Sequence, residues 1–226
     1  MKKILFHILF GIIATGTILS NYTYNGWAMY IFKPLIMIWI SGYFLFHAKS
    51  IDRKIVKLAL AAFVFSWLGD IFLMFADKGE VFFASGIFAF LISQIFYIFL
   101  FLKTINLSGK KPFLRKQPFW LIAYIAYGLV FVILLYNNLD TLLRIAIFIY
   151  IAAILSMSSM ALNRLGNGHP VSFILVFTGS LFFVFSDSLI AIDKFLYSFD
   201  HARAVILFTY IIAQYLIMKG ILKQYE

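Results

Sequence analysis

Residues 55–76 read IVKLALAAFVFSWLGDIFLMFA, an apolar run with one lysine near its start and one aspartate, Asp70, deep inside. A helix needs about 20 apolar residues to cross a hydrocarbon layer of about 30 Å, and it satisfies its own backbone hydrogen bonds where water is absent. The run is therefore long enough to span a membrane. Across the chain of 226 residues, 64% are hydrophobic and 12% are charged, which is more apolar surface than one soluble core can hide.

Seven further apolar runs flank this one, separated by charged or turn-forming residues. The eight predicted spans are 4–20, 27–46, 55–76, 81–102, 119–136, 140–162, 171–192 and 201–222. We expect an all-α fold, a polytopic transmembrane helix bundle of about eight helices that forms one domain over residues 1–226. The first run also resembles a secretory signal, but it lacks an A-x-A cleavage pattern, so we expect it to be retained.

The 19 lysines and arginines fall unevenly on the two sides of the predicted bundle. One side holds five of them, Lys33, Lys78, Arg144, Lys194 and Arg203, and the other side holds 14. The positive-inside rule then predicts that both termini are cytoplasmic. The net charge of +10 lies mainly in the connections, so we expect no nucleic-acid partner. The longest connection, residues 103–118, is expected to be a solvated loop beside anionic lipid headgroups.

Three ionisable residues lie inside predicted spans, where burial is costly and each charge marks a candidate functional site. Asp70 and Asp187 each lie about six residues before the outer end of a span, and Lys33 lies about six residues into its own span. The three residues therefore share one depth and could meet inside the bundle. The alternatives are that Lys33 extends to the outer interface and that the aspartates form a polar clasp between helices.

Uncharged polar residues extend this pattern into neighbouring spans. Those that could bind a substrate are Gln94, Tyr97, Tyr150, Tyr210 and Gln214. Offsets of 117 or 120 residues relate Lys33 to Tyr150, Asp70 to Asp187, and Gln94 to Gln214. Such offsets are typical of a 4+4 parallel repeat with a site on its pseudo-axis, although three matched positions can also arise by chance.

Short motifs in these spans resemble those of a known family. They are Lys33-Pro34-Leu35, Gly69-Asp70, Gly86 to Phe90 with Tyr97, Tyr150 with Met157, Gly179 with Phe183 and Ser186-Asp187, and Tyr210 with Ala213-Gln214. In order and spacing the chain resembles the YhhN-like membrane proteins, which include the lysoplasmalogenases. It departs from the family's common His-x-x-Tyr motif, because Gln94 precedes Ile95-Phe96-Tyr97. A mechanism that requires an imidazole at position 94 would fail here.

The resemblance implies hydrolysis of the vinyl ether bond of lysoplasmalogens. An enol ether is cleaved by protonation of an alkenyl carbon and capture of the resulting oxocarbenium ion by water, a task suited to two carboxyl groups. We expect Asp70 and Asp187 to form this catalytic pair, with either one as the acid. Lys33 could bind the substrate phosphate, and Gln94, Tyr97, Tyr150, Tyr210 and Gln214 could order the water and the glycerol oxygens.

We expect no cofactor, no metal, and a lysophospholipid substrate drawn from membrane lipids. A zinc hydrolase is a rival interpretation, but no pair of histidines is spaced to meet either aspartate, and cysteine is absent. A proton-coupled transporter is the rival from another class, since paired intramembrane acids also mark ion pathways. Against it, Pro34 is the only proline inside a predicted span. A purely structural protein would gain nothing from burying two aspartates. We expect a multi-pass protein of a bacterial cytoplasmic (inner) membrane, and the sequence leaves its oligomeric state open.

Overall fold

The computed structural model describes residues 3–23, 26–105 and 111–226, without the side chain of Lys3, and within these ranges it contains nine α-helices and no strand. The helices are α1 (Lys3–Tyr22), α2 (Gly26–His47), α3 (Arg53–Met74), α4 (Glu80–Ile105), α5 (Phe113–Lys116), α6 (Trp120–Leu135), α7 (Thr141–Leu162), α8 (Pro170–Phe195) and α9 (Ala202–Lys223). Single 3-10 turns follow α3, over Ala76–Lys78, and α6, over Tyr136–Asn138.

Eight of these helices are long and apolar enough to cross a membrane, which confirms the predicted all-α bundle of eight spans. The short α5 is the exception. The cytoplasmic orientation of the termini stays a prediction, and the basic residues Lys2 and Lys110 counted for it lie outside the described residues. Following that orientation, we call the end with the α3–α4 and α8–α9 connections the outer end.

Two helices are longer than their apolar runs predict. Both α4 and α8 contain 26 residues, about 39 Å, and continue past charged residues in their last turns, Lys103 in α4 and Lys194 in α8. The sequence predicts shorter spans because the apolar runs end before these charged residues. A cation in the last turn is favourable to the helix dipole, and its long stem can reach past the apolar layer.

Part of the connection after α4 packs against the bundle. Leu114 in α5 is buried, and its backbone N–H donates a 2.8 Å hydrogen bond to Asn163 Oδ1 at the end of α7. The expectation of a wholly solvated loop over residues 103–118 is therefore wrong for α5. The connection packs against the bundle there because the apolar Leu114 side chain is buried and Asn163 Oδ1 at the end of α7 accepts a hydrogen bond.

The helices pack mainly as two antiparallel pairs, α3 with α4 and α8 with α9. Glycines allow both close approaches, because a Cβ on Gly69 would lie 2.6 Å from the Phe90 ring, and one on Gly179 would lie 2.9 Å from the Ala213 carbonyl oxygen. Helix α7 packs on α4 and α8, and α2 packs on α3 and α9. These contacts are arranged as a 4+4 parallel repeat would arrange them, and the repeat itself stays a prediction.

Helix α6 is peripheral. It packs mainly on α7 and buries only Gly128 and Leu135, so most of its side chains face outward. One shallow apolar groove therefore remains beside α6, and it is described below.

A buried arginine lies at the opposite end of the bundle, where α4, α7 and α9 finish. Arg164 is 1% exposed, and its guanidinium donates to Ser172 Oγ at 2.8 Å and to Gln224 Oε1 at 3.3 Å. Burial lowers the pKa of Arg164 to about 10. The carboxyl ends of three helices carry partial negative charge, which favours a cation at this position.

Candidate active site

Asp70 and Asp187 line one cavity of about 180 Å³ near the outer end of the bundle. Lys33 and Tyr210 contribute to the same wall, so α2, α3, α8 and α9 all supply side chains to it. From the aspartates the cavity extends to charged residues at the helix ends. It can therefore hold a polar group between two carboxyl groups and the outer surface.

Asp70 is paired with a cation. The Lys33 ammonium nitrogen lies 4.0 Å from Asp70 Oδ1, and the Tyr210 hydroxyl donates a 2.8 Å hydrogen bond to Asp70 Oδ2. Lys33 is only 8% exposed, so the interpretation that it extends to the outer interface is wrong. The buried carboxyl group compensates part of the cost of burying the ammonium.

Asp187 has only neutral partners among the described residues. Tyr150 of α7 donates a short hydrogen bond to Asp187 Oδ2, and the Gln94 amide nitrogen of α4 lies 3.3 Å from the same oxygen. The Gln94 nitrogen also lies 3.2 Å from the Tyr150 hydroxyl. Both hydrogen bonds reach Asp187 Oδ2, and the Asp187 side chain also lines the cavity. The two aspartates thus share a cavity but differ in the charge around them.

The contacts of the two aspartates follow the same scheme. Each aspartate is bound by one residue of the preceding long helix, Lys33 for Asp70 and Tyr150 for Asp187. Each is also bound by one residue from the other half of the chain, Tyr210 for Asp70 and Gln94 for Asp187. This exchange between halves accompanies the placement of both carboxyl groups at one cavity.

The depths of the aspartates differ from the sequence expectation. Asp70 lies four residues before the end of α3, about 6 Å, and Asp187 lies eight residues before the end of α8, about 12 Å. Both were predicted at about six residues. For Asp187 the cause is the longer α8, whose last turn carries Asp193 and Lys194 beyond the apolar run, and for Asp70 it is α3, which ends at Met74 and not at residue 76.

Tyr97 and Gln214 lie outside the cavity wall. The Tyr97 hydroxyl donates to Gln214 Oε1 at 2.5 Å, and the Gln214 amide nitrogen donates to Ser66 Oγ at 2.9 Å. Ser66 in turn donates to Ser93 Oγ, because the Ser93 hydroxyl already donates to the Ala62 carbonyl. This chain of bonds ties α3, α4 and α9 together beneath the cavity. Direct contact of Tyr97 and Gln214 with a substrate has no support from this geometry.

Charged residues at the ends of the helices line the mouth of the cavity. Arg203 donates two hydrogen bonds, of 3.0 and 2.8 Å, to the carboxylate of Asp77, and half-buried Asp193 and exposed Lys194 lie nearby. No local pattern could have identified them, since Asp77 and Arg203 are 126 positions apart.

No three His, Asp or Glu side chains lie close enough to hold one metal ion in the described ranges 3–23, 26–105 and 111–226. The expected absence of a cofactor stays a prediction.

Comparisons with known proteins agree with the sequence resemblance. The model of the YhhN family matches residues 28–221. Over 193 residues the chain is 31% identical to the lysoplasmalogenase TMEM86A of Bos taurus and equally to that of Homo sapiens, covering 81% of this chain and 73% of each relative. The search of solved structures gave no significant match. The family match covers most of the chain, including all eight predicted site residues, and the chain therefore belongs to the YhhN family.

Proposed function

We propose that this protein hydrolyses the vinyl ether bond of lysoplasmalogens, releasing a fatty aldehyde and a glycerophospho head group. The observation that carries the proposal is the single cavity of about 180 Å³ lined by two buried carboxyl groups from α3 and α8. The names of the two mammalian relatives give independent support for the substrate class. Two opposed acids in a poorly solvated site fit a reaction that needs one proton donor and one stabiliser of a cation.

The reaction begins with proton transfer from one aspartic acid to the alkenyl carbon that bears the hydrocarbon chain. The double-bond electrons form the new C–H bond, and the adjacent ether carbon becomes part of an oxocarbenium ion. Water adds to that carbon and gives its proton to the second carboxylate. The hemiacetal then breaks its bond to the glycerol oxygen, which takes a proton from the second carboxyl group. The hemiacetal hydroxyl gives its own proton to the first carboxylate as the aldehyde carbonyl forms, so both groups return to their starting states.

We assign proton donation to Asp187 and cation stabilisation to Asp70. The Lys33 ammonium, 4.0 Å from Asp70, favours the ionised form of that carboxyl group. The partners of Asp187, Tyr150 and Gln94, are neutral hydrogen-bond donors, which stabilise a buried negative charge less than an ammonium group does. One protonated and one ionised acid is the starting state that the reaction requires.

The other polar residues are given roles that match their places. Lys33, together with Arg203 and Lys194 at the mouth, supplies positive charge for the phosphate of the head group. Tyr210 holds Asp70, lines the polar cavity and can contact water or glycerol oxygens, whereas Tyr150 and Gln94 lie outside the lining of that cavity and act by holding Asp187. Tyr97 and Gln214 act as positioning residues through Ser66.

Eight apolar spans describe a multi-pass integral membrane protein. The relatives compared above are mammalian, so they give the predicted bacterial cytoplasmic membrane no support, and that location stays untested.

The test incubates the purified protein with choline and ethanolamine lysoplasmalogens and measures the lipid products by mass spectrometry. Matched lysolipids with an ester or a saturated alkyl ether bond serve as controls. We expect aldehyde release from the vinyl ether lipids alone. Cleavage of the ester control would assign a different hydrolase, and uptake of lipid into proteoliposomes without turnover would assign transport instead.

A further inference from the structure

Asp187 lies at the boundary between the polar cavity and a second, apolar pocket of about 40 Å³. The apolar pocket is enclosed by side chains of α4, α6, α7 and α8, and it shares Phe83, Asp187 and Ile190 with the polar cavity. Asp70 lines the polar cavity and does not line the apolar pocket. A molecule with a polar and an apolar part could therefore occupy both spaces, with its junction beside Asp187.

The apolar pocket continues into a larger groove of about 570 Å³ along α6, α7 and α8. Tyr127, Leu155 and Val184 line both spaces. Along α8 the groove extends from Phe185 to Phe173, 12 residues away, which corresponds to about 18 Å. One leaflet of the hydrocarbon core is about 15 Å thick, so the groove is long enough for a lipid chain.

The groove opens toward lipid because α6 covers it only at one edge. The Tyr127 hydroxyl of α6 lies 2.8 Å from Ser188 Oγ of α8, one residue from Asp187. Since the Ser188 hydroxyl already donates to the Val184 carbonyl, Tyr127 is the donor in this contact. Tyr127 is 38% exposed, and this bond links two helices that otherwise have few contacts with each other.

We propose that the hydrocarbon chain of the substrate lies in this groove and enters it laterally from the bilayer between α6 and α8. The proposal rests on the proposed function and specifies the chain-binding part of the same site. With the chain along α8 and the head group in the polar cavity, the enol ether lies beside Asp187, on the side from which protonation of the alkenyl carbon is required.

A second apolar groove of the bundle provides the competing location. It has a volume of about 300 Å³ and is lined by Ile38, Trp39, Gly42, Tyr43, Phe46 and His47 of α2. It shares no residue with the polar cavity or with the pocket at Asp187. A chain bound there would not bring a vinyl ether to either aspartate.

The test uses a lysolipid with a saturated alkyl ether bond and a photoreactive diazirine in its chain, bound to the full-length protein and mapped by peptide mass spectrometry. We expect labels on α6, α7 and α8 residues such as Ile151, Leu155 and Val184, and we expect unlabelled lysolipid to remove them. Labels confined to the α2 groove, or labels that competitor does not remove, would overturn the proposal. The probe cannot be hydrolysed, so the result does not depend on whether the protein cleaves vinyl ethers.

A matched pair of variants gives a second readout. Ala191→Phe fills the apolar pocket, whereas Ala84→Phe adds the same ring on an exposed face of α4. We expect Ala191→Phe to raise the lysolipid concentration needed for half-maximal labelling about tenfold, with Ala84→Phe unchanged. Equal labelling of both variants, each verified as monodisperse in detergent, would place the chain elsewhere.

Discussion

The ammonium nitrogen of Lys33 lies 4.0 Å from Asp70 Oδ1, inside a membrane-spanning bundle and away from its surface. Asp187, which lines the same cavity, has a phenol and an amide as its described partners. The surroundings of the two aspartates thus differ by one full positive charge. That difference is the physical basis for giving them different catalytic roles.

Removal of the Lys33 ammonium should both destabilise the protein and inactivate it, and the two effects can be separated by a second substitution. We expect Lys33→Met to leave a buried carboxylate without compensation, at a cost of about 3–5 kcal/mol, and to lower the melting temperature in detergent. The double variant Lys33→Met/Asp70→Asn removes both charges and should recover most of the lost stability without recovering activity. The measurement is thermal unfolding alongside aldehyde release. Full activity of the double variant would show that neither charge serves catalysis.

The glutamine at position 94 should act as a hydrogen-bond donor. Gln94 donates to Asp187 Oδ2 from α4, at the position where the family resemblance leads us to expect histidine. We expect Gln94→His to keep activity within a few-fold of the native chain, because an imidazole N–H can make the same bond. Gln94→Leu leaves the carboxyl group short of a donor and should lower kcat about tenfold. Equal activity of the leucine and histidine variants would contradict this role.

The phenol of Tyr150 should matter more for turnover than for lipid binding. We expect Tyr150→Phe to lower kcat by about tenfold to a hundredfold, because the hydrogen bond that orients Asp187 is lost, while KM changes little. Tyr197→Phe removes a hydroxyl from an exposed residue and serves as the matched control. Steady-state kinetics on detergent-solubilised protein provide the comparison. A rise in KM at constant kcat would instead make Tyr150 a substrate-binding residue.

The close contact of α8 with α9 should tolerate no added methyl group. A Cβ on Gly179 would lie 2.9 Å from the Ala213 carbonyl oxygen and 3.0 Å from the Ile217 backbone nitrogen, neither of which can move independently of α9. We expect Gly179→Ala to cost about 1–3 kcal/mol of stability. Gly11→Ala, with no atom within 4 Å of its Cβ, should leave thermal unfolding unchanged. Identical melting temperatures for the two variants would contradict the tight packing.

Much of the fold could be predicted from the sequence, because the bilayer imposes one simple rule. Each span needs a long apolar run, and the chain contains eight such runs, which include those around Asp70 and Asp187. Eight helices could therefore be placed. The ends of the helices are harder to predict, as α8 shows, because a charged last turn of a helix and an aqueous connection have similar sequences. The similar predicted depths of Lys33, Asp70 and Asp187 are consistent with the single cavity that all three residues line.

The partners of those residues could not be predicted in the same way. A depth says how far along a helix a group lies, but not which neighbour its side chain faces. Tyr97 and Gln214, predicted to contact substrate, bond to each other beneath the cavity. Arg203 and Asp77 meet at its mouth only because α9 begins where α3 ends. Such contacts depend on the rotation and pairing of helices, which apolar runs leave undetermined.

The central claim is that Asp70 and Asp187 together carry out the hydrolysis, and its direct test is aldehyde release from a lysoplasmalogen by Asp70→Asn and Asp187→Asn. Each substitution keeps the shape of the side chain and removes its acid function, so each should lower kcat at least about a hundredfold while the protein remains folded. Asp200→Asn, in the exposed α8–α9 connection, should keep native activity. Native rates of aldehyde release from both the Asp70→Asn and Asp187→Asn variants would contradict the claim.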